Sequence, residues 1–277
     1  MGAALSQIFP PAPTLTEKNL PDQTGKVPLT PRPFFFSLYQ LTPHHQVFII
    51  TGSSSGVGRE LAYILYLHNA TVYIAARSES KARTAISTIK TRAPNSTGKL
   101  IYLHLDLNDL TTIKSSAETF LRQNTRLDVL VNNAGVMVPP QGSKTEQGYE
   151  LQLGTNCVAP FLFTKFLTPL LIETAKKAPK DSVRVVWTSS NGAEIFAPKN
   201  GVEMGNLDYK EDKGAWHKYG VSKAGNVMHA SEFARKFGDE GIVSVVSIFF
   251  SFFSFFFFLT GLNLKWELLF LGGRASY

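Results

Sequence analysis

Short apolar runs of strand length alternate with stretches of helical apolar spacing from residue 47 onward, and this alternation constrains the fold most strongly. The strand-like runs are VFIIT (47–51), TVYIA (71–75), KLIYLHL (99–105), LDVLV (127–131), VRVVWT (183–188) and IVSVV (242–246). Helical spacing fills the intervals at residues 58–68, 80–91, 110–123, 156–174 and 219–237. Strands that alternate with helices form βαβ units, whose strands run parallel and are covered on both faces. We therefore predict an α/β fold with a doubly wound parallel sheet.

Two regions fall outside this alternation. Residues 1–46 are rich in proline and threonine, and proline disfavours helices and central strands. Residues 247–277 begin with a run of phenylalanine and serine. A chain of 277 residues suits one large domain. We predict an irregular N-terminal extension at 1–46, a domain at 47–246 and an atypical Phe-rich tail at 247–277.

Composition argues against several classes of function. The net charge is +7, but the basic residues are spread along the chain, so we predict no nucleic-acid partner. The single cysteine, Cys157, rules out an internal disulfide and a cysteine-rich metal site, and we expect it to be a small buried apolar residue. The histidines lack ligand spacing with nearby acids, so no metal site is predicted. Residues 1–13 lack the pattern of a secretory signal, which favours a cytoplasmic location.

A glycine-rich segment, TGSSSGVG at 51–58, lies where the first strand turns into a helix. Gly52 permits a tight turn, Gly56 lets the backbone approach a pyrophosphate, and Gly58 allows close helix–strand packing. The following helix N-terminus presents free N–H groups to phosphates. This context predicts a Rossmann-type dinucleotide site. Its predicted cofactor-binding residues are Gly52, Ser54, Ser55, Gly56, Val57 and Gly58.

The residue after the second strand bears on which dinucleotide binds. An acidic side chain there would bind the ribose 2′-hydroxyl of NAD, but this chain has Arg77, with Lys81 one helical turn later. A guanidinium pairs well with a 2′-phosphate. We therefore favour NADP(H) over NAD(H). The alternative for Arg77 is a solvated charge at a strand end.

Two further strand ends belong to the same crevice. Asp106 and Leu107 follow the third strand, and the Asp106 carboxylate is placed to accept from the adenine amino group. Its alternative role is to cap the next helix, which Asn108 or Asp109 would do equally well. The fourth strand is followed by the predicted cofactor-binding residues Asn132, Asn133, Ala134 and Gly135.

These motifs together resemble those of the short-chain dehydrogenase/reductase family. The resemblance rests on TGSSSGVG, Asp106, NNAG, Ser190 and YGVSK at 219–223, which occur in that family's order and strand context. It covers residues 25–246 apart from 27–46, and it is greatest to retinol-dehydrogenase-like and fungal short-chain reductases. It implies a three-layer αβα fold, a nicotinamide cofactor, and hydride transfer between an alcohol and a ketone or aldehyde.

The resemblance also implies a catalytic set of Ser190, Tyr219, Lys223 and Asn156. Tyr219 would give a proton to the carbonyl oxygen in reduction and take it from the alcohol in oxidation. A tyrosine with its ordinary pKa of about 10 is a poor base at neutral pH, and Lys223, one helical turn away, would stabilise the phenolate and hold the ribose hydroxyls. Ser190 would hydrogen-bond the substrate oxygen, and Asn156 would hold a water that links Lys223 to solvent.

Each of these residues also has a structural alternative. Tyr219 and Lys223 would then be an exposed helical pair, Ser190 a helix cap, and Asn156 a polar residue that is satisfied locally.

The segment at 191–218, between the serine and the tyrosine, is longer than in the shortest family members. We expect it to form one wall of the substrate pocket. Its apolar residues Ile195, Phe196, Leu207 and Trp216 indicate a small apolar alcohol or carbonyl substrate. The resemblance further implies a homodimer, because family members often pair through their fourth and fifth helices.

The chain departs from the family pattern in two places. Deleting residues 27–46 leaves GKVFIITG, a family-like beginning, and this segment starts and ends with residues whose codons fit intron boundaries. The sequence at 246–248 also has codons that fit a 5′ splice site, and no Pro-Gly turn or substrate lobe is recognisable after it. We hypothesise that 27–46 and 246–277 are translated introns and that the C-terminal lobe is missing. Sequencing of the mature transcript across both junctions tests this.

Two other functions are left open by the sequence. The first is an inactive dinucleotide-binding protein without a complete substrate pocket. The second is a membrane-attached reductase, because the stretch at 242–262 has the length of about 20 uncharged residues that spans a bilayer. Against the second, IVSVV already belongs to the sixth strand.

Overall fold

The computed structural model describes residues 46–249, so the predictions on residues 1–45 and 250–277 lie outside the described part of the chain. Strands and helices alternate in it as the sequence predicts. The strands are β1 (Val47–Thr51), β2 (Thr71–Ala76), β3 (Lys99–His104), β4 (Val129–Asn132), β5 (Val183–Ser190) and β6 (Ile242–Phe249). The helices are α1 (Gly56–Leu67), α2 (Glu79–Arg92), α3 (Leu110–Gln123), α4 (Leu151–Ala175), α5 (Gly192–Phe196) and α6 (Ala215–Phe237). A 3₁₀ turn lies at Met204–Asn206.

The six strands form one parallel sheet in the order β3-β2-β1-β4-β5-β6. The order reverses between β1 and β4, where the chain crosses from one half of the sheet to the other. In such a sheet, ligands bind outside the carboxyl ends of the strands at this reversal. The predicted α/β doubly wound fold is confirmed.

Apolar side chains cover both faces of the sheet, which explains why the strands read as continuous apolar runs. Phe48 and Ile50 of β1 pack with α1 and α2, whereas Ile49 packs with α3, α4 and α6. Alternate residues of a strand point to opposite faces, so each strand contributes to two separate cores. The result is the three-layer αβα arrangement.

Helix α4 contains an irregularity near its start. Its residues Gly154–Val158 form a π-helical turn, after which Ala159–Ala175 is regular α-helix. By length and composition α4 is apolar enough to cross a membrane, but half of its most apolar window is buried in the protein. Phe163, Leu167 and Leu171 of α4 pack in the sheet's core. Helix α4 therefore serves as a core helix of the domain.

Strand β6 differs from the prediction at its end. It continues to Phe249, beyond the predicted end at Val246, because Ser247 to Phe249 pair in register with Thr188 to Ser190 of β5. Residues 242–249 are thus strand, and a membrane helix over 242–262 is wrong for this part of its range. The backbone N–H and C=O groups of β6 form hydrogen bonds with β5, whereas in a membrane helix such groups bond to one another within the helix.

Candidate active site

The glycine-rich turn after β1 packs closely against the segment after β4. Gly52 has a φ of +67°, and a Cβ there would lie 2.8 Å from Ala134 Cα. A Cβ on Gly58 would lie 2.7 Å from Asn133 Nδ2. Gly56 has a φ of +55°, a conformation that glycine adopts without strain. The predicted need for glycine at these three positions has a visible steric reason in the structure.

Thr51, the last residue of β1, joins this turn to β4, although it is not among the predicted cofactor-binding residues. Its hydroxyl oxygen accepts from the backbone N–H groups of Asn133 at 3.0 Å and Ala134 at 2.9 Å. The Asn133 side chain donates in turn to the Thr51 carbonyl at 2.9 Å. A threonine directly before the first glycine is the sequence signal that would have identified it.

The first turn of α1 is the part of the turn that suits a phosphate. Ser55, at the N-cap, is exposed and makes no side-chain hydrogen bond to the first-turn N–H groups within residues 46–249. Ser54 is half-buried beside it. Uncapped N–H groups at a helix N-terminus attract anions. The residues present therefore fit a dinucleotide pyrophosphate.

The next two strand ends carry the predicted nucleoside contacts. Arg77 is exposed after β2, and it makes no ion pair within the described range. Asp106 accepts from the Asn108 backbone N–H at 2.9 Å, while Asp109 caps α3 through Thr111 at 3.0 Å. Because Asp109 caps α3, Asp106 is not needed as the cap of that helix. The Leu107 side chain is buried in the core, and its contact with a cofactor stays a prediction.

The Asn132 side chain points into the core, and its contact with a cofactor stays a prediction. Its Nδ2 donates to Thr164 Oγ1 of α4 at 2.9 Å, and Asn132 is almost fully buried. Alternation along β4 places it on the same face as Leu130, which packs with α4. We therefore assign its side chain a supporting role.

Ser190 and Tyr219 are brought together across Gly192, at the carboxyl end of β5. A Cβ on Gly192 would lie 3.0 Å from Tyr219 Cε1 and 3.4 Å from Ser190 Oγ. Ser190 Oγ accepts from the Gly192 N–H at 3.1 Å, so the serine also supports the start of α5. Both side chains are buried, at 3% and 7% exposure, which excludes the alternative of an exposed helical residue for Tyr219.

Lys223 lies one turn after Tyr219 with its Nζ 5.7 Å from the tyrosine ring centre. The ammonium donates to the Thr188 carbonyl at 3.2 Å. Burial lowers the pKa of Lys223 from 10.5 to about 8, because a charge loses hydration there. The Lys223 ammonium is therefore easier to deprotonate than a solvated lysine.

Asn156 lies in the π turn of α4 and holds the segment after β4. Its Oδ1 accepts from the Val136 N–H at 2.7 Å, and its Nδ2 donates to the Val136 carbonyl at 2.8 Å and to Ser222 Oγ at 3.0 Å. A Cβ on Gly135 would lie 3.1 Å from Asn156 Oδ1 and 3.3 Å from Lys223 Nζ. Asn156 is therefore a neighbour of Lys223. Its water-holding role stays a prediction.

Helix α5 and the start of α6 form an aromatic wall beside Tyr219. The Phe196 and Trp216 rings are 5.1 Å apart, and Trp216 meets the Tyr219 ring edge-on at 6.3 Å. Ile195 is 53% exposed on the same short helix. Leu207 lies elsewhere, packed against a separate cluster around Leu153, Cys157 and Val221. The predicted wall thus retains Ile195, Phe196 and Trp216.

Gly220 fixes the position of α5. A Cβ at Gly220 would lie 2.6 Å from the Ala197 nitrogen and 2.8 Å from the Gly192 carbonyl oxygen. Both are backbone atoms that have little freedom to move. The backbones of α5 and α6 are therefore in direct contact next to Tyr219.

Cys157 is buried under this site, as its sequence suggests. Burial raises the pKa of Cys157 to about 12. Its Sγ lies 3.2 Å from His229 Nε2, and burial lowers the pKa of His229. A neutral thiol beside a neutral imidazole has a packing role here.

Comparison with known proteins gives a consistent result. Residues 46–202 match the family model described as short chain dehydrogenase. A short-chain dehydrogenase/reductase of Phomopsis amygdali is 51% identical over 244 residues, which cover 87% of this chain and 67% of that protein. The short-chain dehydrogenase/reductase pkfC of Emericella nidulans is 51% identical over 235 residues, which cover 84% and 69%.

Solved structures share the fold. A protein from Mycobacterium paratuberculosis superposes with a TM-score of 0.61 at 27% identity, over 76% of this chain and 70% of that one. The RhlG/NADP active-site complex of Pseudomonas aeruginosa superposes with a TM-score of 0.55 at 24% identity, over 73% and 69%. The second likeness concerns the fold alone.

Proposed function

Because the chain belongs to the short-chain dehydrogenase/reductase family, whose members act on CH–OH groups with NAD(P), we propose that it interconverts an apolar alcohol and its ketone or aldehyde with NADP(H). The observation that carries the proposal is the convergence of Ser190, Tyr219 and Lys223 at the carboxyl ends of the strands. A glycine-rich turn shaped for a dinucleotide lies at the reversal of the same sheet.

The three side chains have complementary tasks in carbonyl reduction. Ser190 Oγ donates a hydrogen bond to the substrate oxygen, which holds the carbonyl beside Tyr219. The Tyr219 hydroxyl gives its proton to that oxygen as negative charge develops on it. A charged Lys223 nearby favours the resulting phenolate over neutral tyrosine. In alcohol oxidation the same proton moves in the opposite direction.

The cofactor, when bound, supplies or accepts the hydride. The first-turn N–H groups of α1 would hold its pyrophosphate, and Asn133, Ala134 and Gly135 would border the nicotinamide side of the crevice. Exposed Arg77 would pair with the 2′-phosphate. A charge-assisted hydrogen bond is worth about 1.5–3 kcal/mol, so Arg77→Ser should weaken NADPH binding by about tenfold or more and leave NADH binding nearly unchanged.

Fluorescence titration of the Arg77→Ser variant with both nucleotides tests the cofactor preference. Lys81→Ser, one helical turn further along, serves as the matched basic-residue control. An unchanged ratio of NADPH to NADH affinity would remove Arg77 as the cause of the preference.

The substrate is expected to pack against Phe196 and Trp216. These rings give an apolar surface beside the reacting oxygen, and a carbonyl with an apolar body would bury its carbon skeleton there. Trp216→Ala should therefore raise the KM for apolar ketones more than it lowers kcat. The predicted cytoplasmic location and homodimer stay predictions.

The activity is tested by NADPH oxidation with a panel of apolar ketones and aldehydes. Tyr219→Phe should retain NADPH binding and lose turnover. Tyr209→Phe, which changes another largely buried tyrosine, should keep turnover. Binding of NADPH without turnover of any carbonyl by the wild-type protein would favour the inactive dinucleotide-binding alternative.

A further inference from the structure

Val138, in the segment after β4, has a backbone conformation that this residue type rarely adopts. Its φ is +49°. A β-branched residue at positive φ is a true outlier, and such strain persists only where surrounding contacts impose it. The contact here is with Gln152, whose Oε1 accepts from the Val138 N–H at 2.9 Å. The strained turn is thus held by one side-chain amide.

The same amide reaches the tyrosine helix. Gln152 Nε2 donates to the carbonyl of Ala215, the first residue of α6, at 2.9 Å, and at 3.5 Å to Glu150 Oε1. Gln152 is fully buried, so water does not compete for these bonds. Tyr219 lies one helical turn after Ala215. Gln152 therefore connects the strained Val138 directly to the start of the helix that carries the proton donor.

Gln152 and Asn156 make the same kind of connection at two points. Asn156 joins Val136 to Ser222, and Gln152 joins Val138 to Ala215. Packing in the core already holds α6 against the sheet. These two connections, one on each side of Tyr219 along the helix, add a direct link between α6 and the segment after β4.

We propose that Gln152 is a positioning residue for the reaction: it holds the strained Val138 turn and the start of α6 together, and so sets where Tyr219 and Trp216 stand relative to the nicotinamide side of the crevice. The proposal rests on the proposed function. Misplacement of a reacting group by about 1 Å lowers the rate by as much as about a hundredfold.

Gln141 offers a matched control. Its Nε2 donates to Asp212 Oδ2 at 2.7 Å and to the Lys213 carbonyl at 2.9 Å. It therefore joins the same two segments of the chain, but it is exposed to solvent. Water can replace its bonds, so Gln141→Ala should leave kcat and KM unchanged.

Two variants separate the two halves of the Gln152 contact. Gln152→Ala removes the bonds to Val138 and Ala215 together with the longer one to Glu150. Gln152→Glu keeps an acceptor for Val138 but places a carboxylate against the Ala215 carbonyl and the Glu150 side chain. Both variants should lower kcat by about 10- to 100-fold while the Kd for NADPH stays nearly unchanged. A buried carboxyl beside a second acidic side chain has a raised pKa, and its protonated form donates. Gln152→Glu should therefore recover activity relative to wild type as the pH falls from about 8 to 6.

A second pair of measurements guards against variants that merely unfold. Val138→Gly removes the strain. Adding Gln152→Ala to the Val138→Gly variant should therefore lower activity by less than Gln152→Ala does in the wild-type protein. Hydrogen exchange of the peptides that contain Val138 and Ala215 should accelerate together in Gln152→Ala, whether or not the protein turns over a carbonyl.

The outcomes distinguish the proposals. Unchanged kcat and an unchanged pH profile in both Gln152 variants, with only a lower Tm, would show a structural role and overturn the inference. If wild-type protein binds NADPH but turns over no carbonyl, the proposed function fails, and the exchange measurement still decides whether Gln152 joins the two segments. Acceleration in one peptide alone would also overturn the inference.

Discussion

Replacing Lys223 by methionine should stabilise the protein while removing its proposed activity. Burial lowers the pKa of Lys223 from 10.5 to about 8. One pKa unit corresponds to about 1.4 kcal/mol, so keeping this lysine charged in the folded protein costs about 3 kcal/mol relative to the unfolded chain. Methionine has a similar length and no charge. The Thr188 carbonyl stays paired, since Asn226 Nδ2 also donates to it at 2.9 Å.

The pH dependence gives this prediction a sign. The folded pKa of Lys223 is below the unfolded one, so below about pH 8 both states are protonated and the full cost is present. Between about pH 8 and 10.5 the folded state loses its proton first, and the cost shrinks as the pH rises. The urea midpoint of Lys223→Met should therefore exceed that of wild type near pH 7, and the difference should narrow near pH 9.5.

Lys218→Met is the matched control, because Lys218 is also buried on α6 but has an ionic partner. Its Nζ lies 2.6 Å from Asp212 Oδ1. Removing a paired charge should give no gain in stability. A Lys223→Met protein that is less stable than wild type near pH 7, or a difference that does not change with pH, would refute the reasoning.

Three further predictions address other residues. Asn132→Ala should lower the free energy of unfolding by about 1–3 kcal/mol and leave the Kd for NADPH unchanged. Weaker NADPH binding would place the Asn132 side chain in the cofactor site. Gly58→Ala should weaken NADPH binding by about tenfold, because the added Cβ would overpack against Asn133. Gly205→Ala on the 3₁₀ turn should not weaken it, and equal NADPH affinities of the two variants in titration would contradict this. Cys157 should react slowly with a thiol reagent near pH 8, because its pKa is raised to about 12, and quickly in urea; rapid labelling of native protein would disprove its burial.

The sheet and its helices were predictable because burial on both faces leaves a strong apolar pattern. Strand β1 and helix α3 begin and end where the sequence predicts. Helix α4 begins at Leu151 rather than at the predicted residue 156, because Gln152 is a buried amide and hydrophobic spacing treats a buried amide as a surface residue. The partners of Gln152 include backbone groups of Val138 and Ala215, which local sequence does not specify.

The candidate site was predictable to the extent that its residues lie at strand ends. Ser190 ends β5, and the spacing of Tyr219 and Lys223 by one helical turn on α6 places them together beside it. Side-chain direction is less predictable from sequence: the Asn132 side chain bonds to Thr164 in the core, and Leu207 packs against a cluster away from the aromatic wall. The positive φ of Val138 was not predictable, because a residue before proline is normally extended and the Gln152 side chain that contacts its N–H lies elsewhere in the sequence.

The contact at Gly220 has a consequence for how this site changes during evolution. Since backbone atoms anchor α5 to α6 up to Ala197, the side chains of α5 can change without moving the serine or the tyrosine. A fixed reaction centre is thereby combined with a replaceable apolar wall. Libraries that randomise Ile195 and Phe196 and keep Gly192 and Gly220 should yield new substrate preferences, whereas any side chain at 220 should displace α5 in every member.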